Sequence, residues 1–232
     1  MKKYLTSALL CFPLSAMAGV SAELSLVSDY RYNGVSQTDK GAALQGSLDY
    51  AHDSGVYAGT WASNLDYGSG DDTNLEVDVY LGYYRDLNDS LAFDLGYAQY
   101  TYHGADYSGD YDYGEFYAGV VLASGTSFYW NHASEYFGMD VAHDILKISH
   151  SMTIGDYGVA LTLDYNKSAD VDVYEWDDGE ASYFGYEVAV SRDVADFTVT
   201  ATLMATSIDS DYNDNADTTL VLGISRGFDL LP

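Results

Sequence analysis

Residues 28–67 read SDYRYNGVSQTDKGAALQGSLDYAHDSGVYAGTWASNLDY, and their rhythm decides the fold. An alternating segment runs up to a polar loop, Asn33 to Lys40. A second, Ala42 to Ala51, places Leu44, Leu48 and Tyr50 on one phase and Gln45, Ser47 and Asp49 on the other. His52, Asp53, Ser54 and Gly55 then reverse the chain into a third segment. Period-two alternation broken by Asp, Ser and Gly signals β-strands joined by hairpins. One long connection followed by one short one is the rhythm of an outer-membrane β-barrel.

The same stretch resembles the TorF-type family of small Gram-negative porins. That family carries a similar SDYxxxGxSQT string followed by QGSxDYxHxSGxYxGxWxSNxDY, matched here from Ser28 to Thr38 and from Gln45 to Tyr67. The resemblance implies an outer-membrane barrel and a pore. It supplies no catalytic residues.

Nine further segments continue the pattern: 74–84, 91–102, 113–123, 126–134, 142–152, 158–166, 182–191, 196–206 and 218–228. The expectation is an all-β, transmembrane, antiparallel up-and-down barrel of about 12 strands. Lengths near 9 to 11 residues suit tilted membrane strands. Short turns at 52–55, 85–90, 124–125, 153–157 and 192–195 alternate with longer loops at 33–40, 67–73, 103–112, 135–141, 167–181 and 207–217. An even strand count with this alternation places both termini at the periplasmic end. A soluble sandwich has polar outer faces. Here the outward phase carries Leu75, Val77, Val79 and Leu81, and later Leu220, Leu222, Ile224 and Phe228. The terminal aromatic resembles the signal read by the barrel-insertion machinery, although Asp229 to Pro232 follow it and Arg226 shares its phase. Near a membrane edge Arg226 can snorkel.

Residues 1–22 read as a signal peptide, removed from a single barrel domain, 23–232. Lys2 and Lys3 precede an apolar run, and small-residue cleavage sites end at Ala18 and at Ala22. The lone cysteine, Cys11, lies inside that run, so the exported chain has neither disulfides nor thiol chemistry. No internal proline interrupts the rest, as continuous strand ladders require. The 24 tyrosines and 3 tryptophans suit the aromatic girdles of membrane barrels.

Nine basic residues stand against 36 acidic ones, which excludes nucleic acid and anionic lipid surfaces as partners of a basic patch. Salt adaptation or solubility also accounts for such a balance. The lumen phase carries Asp29, Asp49, Glu76, Asp78, Asp94, Glu115, Asp164 and Glu187 against Arg31 and Lys147. These ten are the candidate pore-lining residues. They point to a narrow diffusion channel for small solutes, preferably cationic or neutral, or to a closed structural barrel plugged by its own polar residues.

Two other constellations stand out. His132, Ser134 and Asp144 supply a base, a nucleophile and an orienting acid on adjacent strands, and His-x-Ser on a lipid-facing strand resembles outer-membrane lipid hydrolases. Asp211, Asn213, Asn215 and Asp217 mimic the oxygen spacing of a calcium loop, with Ala216 where glycine makes the turn. The remaining histidines show no metal-ligand spacing. The expected partners are outer-membrane lipids, the insertion machinery and small solutes. No cofactor is expected, and nothing marks an oligomer interface.

Overall fold

The computed structural model describes residues 19–231. In chain order its strands are β1 (Gly19–Val27), β2 (Arg31–Tyr32), β3 (Val35–Ser36), β4 (Ala43–Ala51), β5 (Val56–Asn64), β6 (Leu75–Asn88) and β7 (Leu91–His103). There follow β8 (Tyr113–Leu122), β9 (Thr126–Ala133), β10 (His143–Ile154), β11 (Tyr157–Ser168), β12 (Ser182–Val194), β13 (Phe197–Thr206) and β14 (Thr219–Leu231).

Every strand except β2 and β3 joins one closed antiparallel barrel of twelve strands, in which β1 pairs with both β4 and β14. Closure leaves no strand edge, so the ladders satisfy the backbone N–H and C=O groups of the wall. The five short connections, Gly19 and Leu231 lie at one rim, and the six long connections at the other.

The outer face is apolar: Leu24, Leu44, Val79, Leu81, Leu146, Leu203 and Leu222 stay exposed, as the alternation requires. Several strands run beyond the ends that the alternation marks. β6 continues to Asn88, so the expected turn at 85–90 shrinks to two residues.

The proposed signal falls largely outside the described residues, but 19–22 form the first half of β1. Val20 sits opposite Tyr50, and Ala22 opposite both Leu48 and Phe228. The segment from Ser28 to Tyr32 is also no wall strand. The chain leaves the barrel at Ser28 and turns inward.

Candidate functional site

The barrel interior is built from three parts, the first being an inserted hairpin. Ser28 closes the wall by exchanging hydrogen bonds with Leu222: its N–H donates to the Leu222 carbonyl at 2.8 Å, and its hydroxyl accepts from the Leu222 N–H at 2.9 Å. β2 and β3 then pair around Asn33 and Gly34, whose φ values of +48° and +88° give the primed turn that suits a tight hairpin. Asn33-Gly34 is the favoured sequence for it. Glycine is needed twice at position 34, because a Cβ there would also meet Thr206 Cγ2 at 2.6 Å.

Asp29 and Arg31 belong to this hairpin, not to the wall as the alternating phase suggested. The Arg31 Nε donates to Asp29 at 2.6 Å, and its other nitrogens donate to the carbonyls of Gly34 and Asp217 and to the Thr219 hydroxyl at 2.7–2.8 Å. Asp29 in turn accepts from Ser36 at 2.6 Å and from Thr38 at 3.3 Å. A fully buried guanidinium persists only when its charge and donors are matched in this way. That self-sufficiency lets a polar segment fold inward, where the sequence reading had expected an outside loop.

The second part is a wall of tyrosines and carboxylates on β5–β9. Tyr57 and Tyr129 donate to Asp94 at 2.7 and 2.9 Å. Tyr100 and Asn131 donate to one oxygen of Glu115 at 3.2 and 2.7 Å, and Tyr102 donates to Glu76 at 3.3 Å. Tyr80 hydrogen-bonds to Asp49. Asp78 is 2% exposed, and neither of its oxygens has a hydrogen-bond partner among the described residues. Many of the tyrosines that sequence reading assigned to lipid girdles are interior instead. The signal was available: these residues share the phase of the acids.

The third part is the opposite wall, β10–β14 and β1. Some of its inward residues are small and only half-buried, namely Ser149, Ser151, Thr162, Thr198, Thr200, Ser225 and Ser25, whereas Asp164, Asn166, Tyr183, Ala189 and Ser191 on the same wall are buried. The interior is therefore packed on the tyrosine side and partly open on the other. The hairpin tip lies against the upper end of the open side. A cavity of ≈ 20 Å³, room for a water or two, sits beneath it. Arg31 and Asn33 line it from the hairpin, and Lys147, Thr162, Asp164 and Glu187 from the wall.

All ten candidate pore-lining residues thus face the interior, in different settings. Glu76, Asp78, Asp94 and Glu115 are sealed among tyrosines, Asp29 and Arg31 are bound up in the hairpin, Asp49 is half-buried low in the lumen, and Lys147, Asp164 and Glu187 border the cavity.

His132 and Asp144 are direct cross-strand partners on the outer face, with Nδ1 and Oδ1 3.0 Å apart. The Trp130 indole N–H donates to the same carboxylate oxygen at 2.8 Å. Ser134 lies beyond the end of β9, and no hydrogen bond joins it to His132, so the base and the acid meet without the nucleophile. In the loop at 207–218 the Asn213 side chain caps a 3-10 turn through the Asn215 N–H, while Lys40 takes up Asp214 and Asp217 at 3.2 and 3.6 Å. Asn213 and Asp217 are thus engaged within the loop and with Lys40, while the Asn215 side-chain oxygen is buried without a hydrogen-bond partner among the described residues. Among the described residues no group of three or more His, Cys, Asp or Glu side chains is arranged to hold a metal ion.

The fold is shared with solved porins. The NanC porin matches at a TM-score of 0.58 and 12% identity, over 91% of this chain and 100% of that one. The KdgM porin matches at 0.56 and 10% identity, over 90% and 99%. A KdgM porin in complex with disordered oligogalacturonate matches at 0.53 and 10% identity, over 90% and 98%. At such identities the likeness is one of fold. No curated protein matches the chain. A family model does, over residues 14–162 and therefore well over half the length: the chain belongs to the family described as "Bacterial protein of unknown function (Gcw_chp)".

Proposed function

We propose that the protein is a narrow, passive outer-membrane channel of the TorF type in a Gram-negative bacterium, admitting small cationic or neutral solutes. The observation that carries this reading is the lopsided interior. A barrel filled on all sides is a structural plug, whereas here β10–β14 and β1 leave a hydroxyl-lined side half open to water.

Charge supports the solute class. The long loops at the wide rim are acidic, as in GSGDDT at 68–73 and DSDYNDNAD at 209–217, and Asp49, Asp164 and Glu187 face the lumen. Such a mouth concentrates cations and repels polyanions. The KdgM porin solved with oligogalacturonate, a polyanion, marks the contrast.

Single-channel recording of refolded protein under a potassium chloride gradient tests the reading. Discrete steps with a cation-selective reversal potential are expected, and an anion-selective potential overturns the solute class. A second reading, hydrolysis of outer-leaflet lipid, has one observation in its favour, the His132–Asp144 pair. Fatty-acid release that disappears in Ser134→Ala would establish it.

A further inference from the structure

We infer that the wall patch gripping the hairpin tip is a solute-binding site, and that Asn33 occupies it as a built-in mimic of the solute. Three consecutive strands contribute. From β10, Lys147 Nζ donates to Asn33 Oδ1 at 2.9 Å. From β11, Asn166 Oδ1 accepts from Asn33 Nδ2 at 3.1 Å. From β12, the Tyr183 hydroxyl donates to the Asn33 carbonyl at 3.2 Å. Asn166 and Tyr183 are fully buried. The site is therefore a formed set of donors and acceptors that recognises a carboxamide.

Its charges go further than Asn33 uses them. Lys147 and Asp164 are direct cross-strand partners, yet no salt bridge joins them, and Asp164 accepts from the Asn166 side-chain amide. The ammonium reaches the hairpin instead. Asp164, Glu187 and Thr162 border the adjoining cavity. A free molecule with a carboxylate or carboxamide for Lys147, and an ammonium or amide N–H for Asn166 and Asp164, matches the site better than Asn33 does. That describes a small α-amino acid or its amide. An isolated anion meets Asp164 and Glu187, and an isolated cation meets Lys147, so each half alone binds less well.

A solute in this site displaces the hairpin tip and uncovers the hydroxyl-lined side beneath it. The inference deepens the channel reading and rests on it for passage of the solute. Occupancy of the site can be read separately. It is read as binding of the solute itself, since the Arg31 bonds to Asp29, Asp217 and Thr219 hold the segment whether or not the tip is docked.

The test uses the full barrel in detergent micelles and in bilayers, with L-asparagine as the probe and acetate and ethylammonium as its separate halves. L-asparagine is expected to give a saturable binding heat in the millimolar range, with little from either half. Asn33→Gly keeps the positive φ and removes the competing carboxamide. It should lower the L-asparagine concentration needed by roughly tenfold, the worth of one charge-assisted hydrogen bond. Lys147→Met should abolish the response. Absence of L-asparagine binding to both the wild type and Asn33→Gly overturns the site, even if the barrel conducts. Binding to a barrel that never conducts upholds the site and removes the channel reading.

Discussion

The phenolic oxygens of Tyr57 and Tyr117 lie 2.6 Å apart inside the barrel, although two strands separate β5 from β8. Their rings reach each other by lying across Gly82 and Gly96, which are themselves direct partners on β6 and β7. A Cβ on either glycine would overlap a tyrosine ring. The acid wall therefore depends on glycines that carry no chemistry of their own. Gly96→Ala should push Tyr117 off its seat, part the two hydroxyls and cost about 1–3 kcal/mol, the usual penalty for overpacking. Gly227→Ala is the control, since nothing lies within 4 Å of its added carbon. Urea unfolding of both variants in micelles decides it, and equal midpoints would refute the account.

Most of the wall was legible in the sequence because strand alternation is a local property, and every wall strand after the first falls where the period-two pattern places it, whereas the first lies at Gly19–Val27 and not in the segment that runs up to Asn33. The hairpin was not. Ser28 to Tyr32 alternates as a wall strand does, and what turns it inward is a set of partners 186 and 188 residues away, Asp217 and Thr219, gathered on Arg31. The sorting of the acids was hidden for a related reason. Glu76 and Glu187 look alike along the chain, and only the bulk of the residues across the barrel seals one among tyrosines and leaves the other beside a cavity. The pairing of His132 with Asp144 was readable from register, whereas the departure of Ser134 beyond the strand end was not.

β1 bears on processing. A cut after Ala22 would remove four residues of β1 together with their pairing to β4 and β14, whereas a cut after Ala18 leaves the strand whole. Mass spectrometry of the protein isolated from outer membranes should find Gly19 at its N-terminus. A start at Glu23 would show that the barrel closes with a shorter first strand.

Asp78 tests the division of the lumen. A buried carboxyl without hydrogen-bond partners costs the fold about 1–3 kcal/mol, a cost that an apolar group of similar size does not carry. Asp78→Leu should therefore raise the unfolding midpoint and leave the reversal potential unchanged. Asp49→Asn, lower in the lumen and half-buried, should move the potential toward neutrality. A large selectivity change in Asp78→Leu would place the conducting route on the tyrosine side.

Arg226 points outward near the short-turn rim, where its guanidinium lies 5.6 Å from the Phe197 ring, 5.1 Å from the Phe228 ring and 3.5 Å from Asp196. This is a snorkelling arrangement, with the stem along apolar surface and the charge at the water boundary. Arg226→Leu should be tolerated within about 1 kcal/mol, the value of an exposed cation–π contact. Arg226→Glu should fold less efficiently in anionic lipid vesicles than in zwitterionic ones. Equal yields in the two lipids would mean that the residue stands clear of the headgroups.

Asp71 governs how the wide rim responds to acid. Burial pushes its carboxyl up, but the Thr73 N–H at 2.9 Å and the hydroxyls of Tyr111 and Tyr107 at 2.9 and 3.3 Å outweigh it and hold the group below its ordinary value. The link ties the loop at 65–74 to the loop at 104–112. A lowered folded pKa means that the stabilisation is fully present above the unfolded carboxylate range and is lost as the pH falls through the folded value. The Thr73 amide should thus exchange slowly at neutral pH, and faster, after correction for intrinsic rates, only once the pH drops below the ordinary carboxylate range. In Asp71→Ala the protection should be missing at every pH. Protection that survives in that variant would mean the loops are joined mainly by other contacts, such as the hydrogen bond between Thr73 and Ser108 at 2.8 Å.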